Sequence, residues 1–250
     1  MSYGVFAAYY DALTRNVEYE KRADYLCRLC KALGHEPGEA LDLACGTGSL
    51  TLALKERGWD IYGVDASPEM LSVAQQKAAL REMSLLFLCQ RMEKLDLYGT
   101  VSTVVCALDS LNHLTKSSQV QAVFDRVSLF LEPGGYFFFD VNTIYKHRHV
   151  LAEQTFVYDM DEVYCVWQNR YAPADGRELV EISLDFFERQ GALYRRSFER
   201  FWERAYPVEQ LRDMLEKAGL KLRLCCGDLT MEPPAQDCQR LMLAAQKDER

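Results

Sequence analysis

The 250-residue chain has no apolar run near the eighteen or so residues of a membrane span, although hydrophobic residues make up 49% of it. Its first residues, Met-Ser-Tyr-Gly-Val-Phe-Ala-Ala-Tyr-Tyr10, contain neither a basic leader nor a long apolar core, so a cytoplasmic protein without a membrane segment is expected. Positive charge is scarce: 29 Lys and Arg stand against 37 Asp and Glu, and the net charge of -8 weighs against a dedicated nucleic-acid binder. A second CxxC and any HxxxH are missing, so Cys27 and Cys30 find no further zinc ligands and no metal is expected. The nine cysteines, odd in number and scattered over helix and strand patterns, read as reduced thiols. Cys27 and Cys30 are expected to face the core from a helix, while His147 and His149, beside Lys146 and Arg148, read as solvated.

What the chain does contain is a short apolar strand, Ala40–Leu43, running into Leu41-Asp-Leu-Ala-Cys-Gly-Thr-Gly-Ser-Leu50 and then a helix from Ser49 to Arg57 that stops at Gly58. Gly46 and Gly48 fall in the turn between them. Glycine there permits positive φ and lets a ligand approach the backbone, and the helix offers free N–H groups above it. A P-loop needs a lysine directly after its second glycine, which is absent here. A dinucleotide loop favours a third small residue where this chain has the β-branched Thr51.

Strand patterns recur at Asp60–Val64, Leu85–Cys89, Val101–Cys106 and Gly135–Val141, with helices at about 68–81 and 117–131 and little room for one between the third and fourth strands. An amphipathic helix over 17–33 precedes them. Near residue 150 the rhythm changes to aromatic and β-branched stretches, Phe156–Tyr171, Glu178–Glu188 and Leu193–Arg204, separated by turn signals. A helix at Pro207–Ala218 and strands Lys221–Cys225 and Gln239–Leu243 then return to the main sheet. The expectation is an α/β protein with a Rossmann-like seven-stranded, mostly parallel sheet and helices on both faces. Residues 1–150 and 205–250 would form this core, and 151–204 a three-stranded antiparallel insertion over the substrate side.

The unusual residues fall on the carboxyl edge of the predicted sheet. Asp65 ends the second strand, where a carboxylate can accept both hydroxyls of a ribose through charge-assisted hydrogen bonds. Its alternative role is helix capping, which Ser67, directly before Pro68, fills better. The fourth edge, Cys106-Ala-Leu-Asp-Ser-Leu-Asn-His113, offers Asp109, Asn112 and His113 as base or orienting groups, and the fifth offers Asp140 and Asn142.

The pattern Asp-x-Ala-x-Gly-x-Gly, the acid at Asp65, the polar fourth edge, the turn Leu131-Glu-Pro-Gly-Gly135 and the leader Tyr3-Gly-Val-Phe-Ala-Ala-Tyr-Tyr-Asp-Ala-Leu13 together resemble class I S-adenosylmethionine-dependent methyltransferases. The resemblance spans residues 3–142 and implies S-adenosylmethionine as cofactor, contacted by Asp42, Ala44, Cys45, Gly46, Gly48, Asp65, Ala66, Met70 and Ala107. It implies adenine beside Gln90–Leu97, covered by Met92, with Arg91 departing from the acid usual there. It also implies a lid whose Tyr10 faces the cationic sulfonium, as aromatic faces favour. The insertion further resembles that of small-molecule N- or O-methyltransferases, with Asp109 or His113 as base and Tyr164, Trp167, Asn142 and Arg200 toward the acceptor. Tyr171, Trp202, Arg195, Arg196 and Arg204 are further candidates on the same strands. Three alternatives stay open: a structured RNA acceptor held by these arginines, an NAD-dependent oxidoreductase, and a cofactor-binding module without catalysis. Either a monomer or a homodimer fits.

Overall fold

The computed structural model describes residues 4–248; Tyr3, which opens the leader, lies outside them. After helices α1 (Gly4–Leu13) and α2 (Tyr19–Ala32) come β1 (Glu39–Leu43), α3 (Ser49–Glu56), β2 (Asp60–Asp65), α4 (Pro68–Leu80) and β3 (Phe87–Cys89). A short 3-10 turn, Met92–Lys94, stands where the spacing left little room for a helix. Then follow β4 (Val101–Cys106), α5 (Ser117–Phe130), β5 (Leu131–Asn142), β6 (Thr155–Asp159), β7 (Val163–Tyr171), β8 (Glu178–Gln190) and β9 (Leu193–Ala205). The chain closes with α6 (Val208–Lys217), β10 (Leu220–Gly227) and β11 (Arg240–Lys247).

Seven strands form one sheet in the order β10-β11-β5-β4-β1-β2-β3. Strands β1 to β5 pair in parallel, and β11 runs antiparallel to both β5 and β10. The period of two along β5 shows how both faces are buried. Phe137 and Phe139 pack with Phe124 of α5, whereas Tyr136 and Phe138 join Tyr25 and Leu29 of α2 on the other face. Each phenylalanine so buried stabilises the fold by roughly 1.5–3 kcal/mol. At the carboxyl edge Ser67 caps α4, its Oγ accepting from the Met70 N–H at 3.2 Å, and Pro68 takes the first helical position.

Four strands, not three, form the antiparallel sheet, in the order β6-β7-β8-β9. The stretch Phe156–Tyr171 reverses at Met160-Asp-Glu162, where the Met160 N–H donates to the Val163 carbonyl at 3.1 Å. Two successive acids there favour solvent over the apolar face and divide one apparent strand into a hairpin. The inner face of this sheet, including Cys165, Ile182, Phe186 and Phe201, buries Phe6, Ala7 and Leu13 of α1 together with Met70 of α4. Glu199 of β9 accepts the N–H groups of Val5 and Phe6 at 3.1 and 3.0 Å, satisfying donors that a first helical turn leaves unpaired. Helix α1 therefore lies between the antiparallel sheet and the carboxyl edge of the main sheet. Among the described residues no helix is long and apolar enough to cross a membrane.

Candidate functional site

The turn after β1 uses its two glycines differently. Gly46 has φ +55°, and a Cβ there would meet nothing within 4 Å, because the residue faces a cavity of about 230 Å3. Gly48, at φ +72°, begins α3 and packs inward: a Cβ would lie 2.9 Å from Cβ of Ala74 and 3.3 Å from the Phe87 ring. Asp65 ties this turn to β2, accepting the Gly46 N–H at 2.9 Å on one oxygen and the Ser67 N–H at 2.8 Å on the other. Ser67 does cap α4, yet Asp65 is engaged as well. A carboxylate oxygen has two lone pairs, so each retains acceptor capacity toward the cavity. Burial raises the Asp65 pKa, against the pull of the Ser67, Gly46 and Ala66 backbone donors and of His113.

Of the residues named from sequence for the cofactor, Tyr10, Ala44, Gly46, Asp65, Ala66, Met70 and Met92 line this cavity. Asp42, Cys45 and Ala107 line a recess of about 40 Å3 beneath it, which shares Tyr10, Ala44 and Gly46. Gly48 lines neither. Asp42 is 2% exposed and accepts the Thr51 hydroxyl at 2.6 Å. Burial pushes its pKa up to about 7, with Thr51 opposing and Asp65 adding to the rise. Burial likewise pushes the Cys45 thiol up. On the far side, Gln90 is pinned by the Asp96 backbone at 2.9 and 2.8 Å, and Arg91 turns onto Glu93. Asp11 of α1 accepts from Thr47 and Ser49 at 2.7 and 3.2 Å and from Lys77 of α4 at 2.6 Å, clipping the helix over the glycine turn.

A second cavity, of about 390 Å3, opens between the main sheet and the antiparallel sheet. Phe6, Tyr10, Leu108 and His113 line both cavities, so the two adjoin. Asp109, Asn142 and Trp167 line the second one. The turn that carries Asp109 is unusual, with Leu108 and Asp109 both in the left-handed region at φ +57° and +53°. Asp140, fully buried, holds it by accepting both their N–H groups, at 2.8 and 2.6 Å. Arg240 spans Asp140 and Asp109. Burial alone would raise the Asp109 pKa, but Arg240, Lys146 and His113 outweigh it and hold the carboxyl well below its ordinary range. Asp109 is thereby a poor proton acceptor, and Asp140 is a loop anchor.

Glu203 of β9 also faces this cavity, accepting from Asn142 Nδ2 at 3.2 Å, with Nε2 of His113 at 3.9 Å and Nε2 of His147 at 3.7 Å. Nδ1 of His113 is buried without a hydrogen-bond partner. Asp109, His113 and Glu203 bring potential ligand atoms within 4.8 Å of one another, but Arg240 already occupies the Asp109 carboxylate. Asn112 serves the frame: its side chain accepts the Asn142 N–H at 2.9 Å and donates to the Arg204 carbonyl at 2.9 Å.

Several positions differ from expectation. His147 is fully buried, not solvated, with Nδ1 3.1 Å from the Glu178 carbonyl, because the π-turn Lys146–Val150 rotates it under β8. Tyr164 and Trp167 are three apart on β7, so the pleat sends them to opposite faces, and only Trp167 reaches the cavity. Arg200 lies on the outer face, 3.3 Å from Glu181, while Arg196 pairs with Asp185 there. Arg204 is 9% exposed, packing over the Tyr206 ring and donating to the Thr115 carbonyl at 3.2 Å. Tyr171 and Trp202 are absent from the lining of both cavities. Conversely, Phe6, Lys146, Glu203 and Arg240 belong to the site and were not singled out from sequence. Glu203 had a signal, an acid in alternating register with Phe201 and Ala205; Arg240 at the start of the last strand had none.

A doubly wound sheet with a glycine turn after β1, an acid closing β2 and a helix roofing the edge defines an enzyme that binds a nucleoside cofactor. Residues 40–135 match the family described as methyltransferase domain. YqeM of Bacillus subtilis (strain 168), which carries a provisional methyltransferase name, is 34% identical over 99% of this chain and 98% of its own length. The crystal structure of an S-adenosylmethionine-dependent methyltransferase from Clostridium acetobutylicum ATCC 824 superposes with a TM-score of 0.86 at 32% identity, covering 98% of this chain and 99% of that one. The sugar N-methyltransferase KedS8 from Streptoalloteichus sp ATCC 53650 shares the fold at 18% identity, with a TM-score of 0.77 over 96% of this chain and 93% of its own. The chain belongs to the S-adenosylmethionine-dependent methyltransferases.

Proposed function

We propose that this methyltransferase acts on a small molecule through a nitrogen or oxygen nucleophile, with the cofactor in the cavity above the glycine turn and the acceptor in the second cavity. The observation that carries this reading is the shared wall: Phe6, Tyr10, Leu108 and His113 border both spaces. Gly46 leaves room where a side chain would intrude, Asp65 keeps lone pairs for ribose hydroxyls, and Ala66 and Met92 offer apolar cover for a base. The cofactor supplies a methyl group already activated by its sulfonium. The chain's work is then to orient the acceptor and exclude water, which contributes up to about 7–11 kcal/mol in well-aligned systems.

His113 is the group we assign to take a proton from the acceptor where one must leave. It lines both cavities, and Glu203 behind it would stabilise the imidazolium. Asp109, held ionised by Arg240, serves as a fixed charge. An RNA acceptor is disfavoured because Arg196 and Arg200 are paired with acids on the outer face, away from the shared wall.

Calorimetric titration should show binding of S-adenosylmethionine and S-adenosylhomocysteine but not of NAD. Asp65→Ala should weaken both by at least about tenfold while the protein still melts cooperatively. Labelled methyl should pass to members of a panel of small amines and alcohols. Label appearing instead in added RNA would sink the small-molecule reading, and unchanged affinity in Asp65→Ala the ribose assignment.

A further inference from the structure

Four formally charged residues other than histidine line the second cavity: Asp109, Glu203, Lys146 and Arg240. Arg240 is matched by Asp109 and Asp140, and Glu203 by Asn142 with two imidazoles close by. Lys146 is different. Its Nζ donates to Oδ1 of Asn142 at 2.8 Å, and among the described residues no carboxylate lies within the 4.0 Å of an ion pair. An ammonium has three donors, so part of this one's capacity faces the cavity. A half-buried ammonium whose direct partner is an amide oxygen, with Asp109, Glu203 and Asp140 acting on it only from beyond ion-pair distance, is incompletely compensated, and an arriving anion relieves that cost. Burial and the neighbouring Arg240 indeed depress the Lys146 pKa, against Asp109, Glu203 and Asp140.

The backbone fixes this lysine firmly. Its N–H donates to Thr143 Oγ1 at 3.0 Å, and it opens the π-turn whose next residue, His147, is fully buried. Lys146 also stands where the cavity meets the outside, because Lys146, Gln239 and Arg240 line both the cavity and an open groove of about 660 Å3. The groove runs between Asn16 and Val17 after α1 and the segment from Gly227 to Gln239. Across the cavity, the antiparallel sheet supplies an aromatic wall of Phe156, Tyr158 and Trp167, with Phe156 exposed at its edge. A molecule entering along the groove passes Glu232, Asp237 and the Arg22-paired Asp228, meets Lys146 where groove and cavity join, and within the cavity finds the aromatic wall and His113.

Building on the function proposed above, we infer that the methyl acceptor carries a carboxylate that pairs with Lys146, with an aromatic or aliphatic body against Trp167. A monoanion is indicated because Asp109 and Glu203 face the same space and would repel a phosphate dianion, and because a single ammonium is available.

The test uses protein saturated with S-adenosylhomocysteine, titrated calorimetrically with 3-phenylpropanoate, its uncharged amide 3-phenylpropanamide, and phenyl phosphate. The acid should bind at least about tenfold tighter than the amide. Lys146→Met should abolish that preference, Lys146→Arg should restore most of it, and neither should alter S-adenosylhomocysteine affinity. Equal affinity for acid and amide, including no measurable binding of either at millimolar concentration, overturns the inference. So does a preference that survives in Lys146→Met, or tighter binding of phenyl phosphate than of the acid. Failure of the cofactor assignment would show separately, as absence of S-adenosylhomocysteine binding in the unsubstituted protein, and the three probes can then be titrated without it.

Discussion

The two cavities that meet at His113 are built in different ways. The proposed cofactor side has a floor of backbone, formed by the turns after β1 and β2, a left-handed Gly46 and N–H groups gathered on Asp65, with side chains such as Tyr10, Met70 and Met92 around it. The proposed acceptor side is walled by side chains from α1, the turn after β4, the π-turn, β7, β9 and β11. A backbone cradle fixes one ligand through geometry that few residue types can adopt. A wall assembled from distant side chains can change residue by residue and still stand on the same sheet, so one donor can be served to many acceptors.

The sharpest way to break this contrast is at the two glycines. Gly46→Val places a branched side chain where only the cavity lies and forces a left-handed conformation on a β-branched residue. S-adenosylhomocysteine affinity should drop roughly 100-fold or more, with stability reduced by only about 1–3 kcal/mol. Gly48→Ala should do the reverse. Its Cβ would be forced to within 2.9 Å of Ala74, so stability falls by several kcal/mol while the folded fraction keeps more of its affinity. Isothermal titration together with urea unfolding measures both. Equal loss of affinity in the two variants would show that the turn acts as one unit.

The same contrast explains what could be read from sequence. The alternation of strands and helices, the glycine turn and Asp65 all lie in continuous segments, where local pattern and ligand geometry coincide, and there the elements and their edges were legible. Ser67 and Pro68 even marked the cap of α4. Between β5 and α6 legibility fell. Period-two alternation identified the strands but could not say which face is inner, so Trp167 and Tyr164 looked equivalent although the pleat separates them. Arg240 entered the site through contacts spanning a hundred residues or more, with Asp140 and Asp109, and nothing local announced it. Lys146 enters locally, from the turn four residues past Asn142, but a lysine beside His147, Arg148 and His149 reads from sequence as one more solvated charge. His147 looked solvated amid Lys146 and Arg148, because the π-turn that buries it has no plain sequence signature.

A smaller effect is expected at Asp42, and it sharpens the cofactor side by pH. Its pKa is about 7 in the folded chain against 3.8 unfolded. Below the unfolded value both states are protonated and the contribution to stability is complete. As pH rises from about 4 toward 7 the unfolded state ionises first, so stability falls; above about 7 both states are ionised and the loss levels off, having reached up to about 4 kcal/mol. Asp42→Asn can still accept the Thr51 hydroxyl but has no charge to bury. The variant should therefore gain stability relative to the parent as pH rises through this window, seen as a widening difference in Tm between pH 4.5 and 7.5. Parallel curves would mean that Asp42 ionises in the folded protein as readily as in the unfolded one.

The smallest effect belongs to the outer face of the antiparallel sheet. Tyr164 is 37% exposed, edge-on to Phe187, and Arg200 is a half-exposed partner of Glu181 that already has Arg170 beside it. Exposed ion pairs contribute about 0–1 kcal/mol, so Tyr164→Ala and Arg200→Ala should each change Tm by only a few degrees. Neither should alter S-adenosylhomocysteine affinity or methyl transfer to a small acceptor by more than about twofold, whereas Trp167→Ala, one face away on the same strand as Tyr164, should weaken acceptor binding. A kinetic defect in Arg200→Ala confined to RNA, growing weaker with added salt, would instead make this outer face the acceptor surface and the second cavity a by-product of packing.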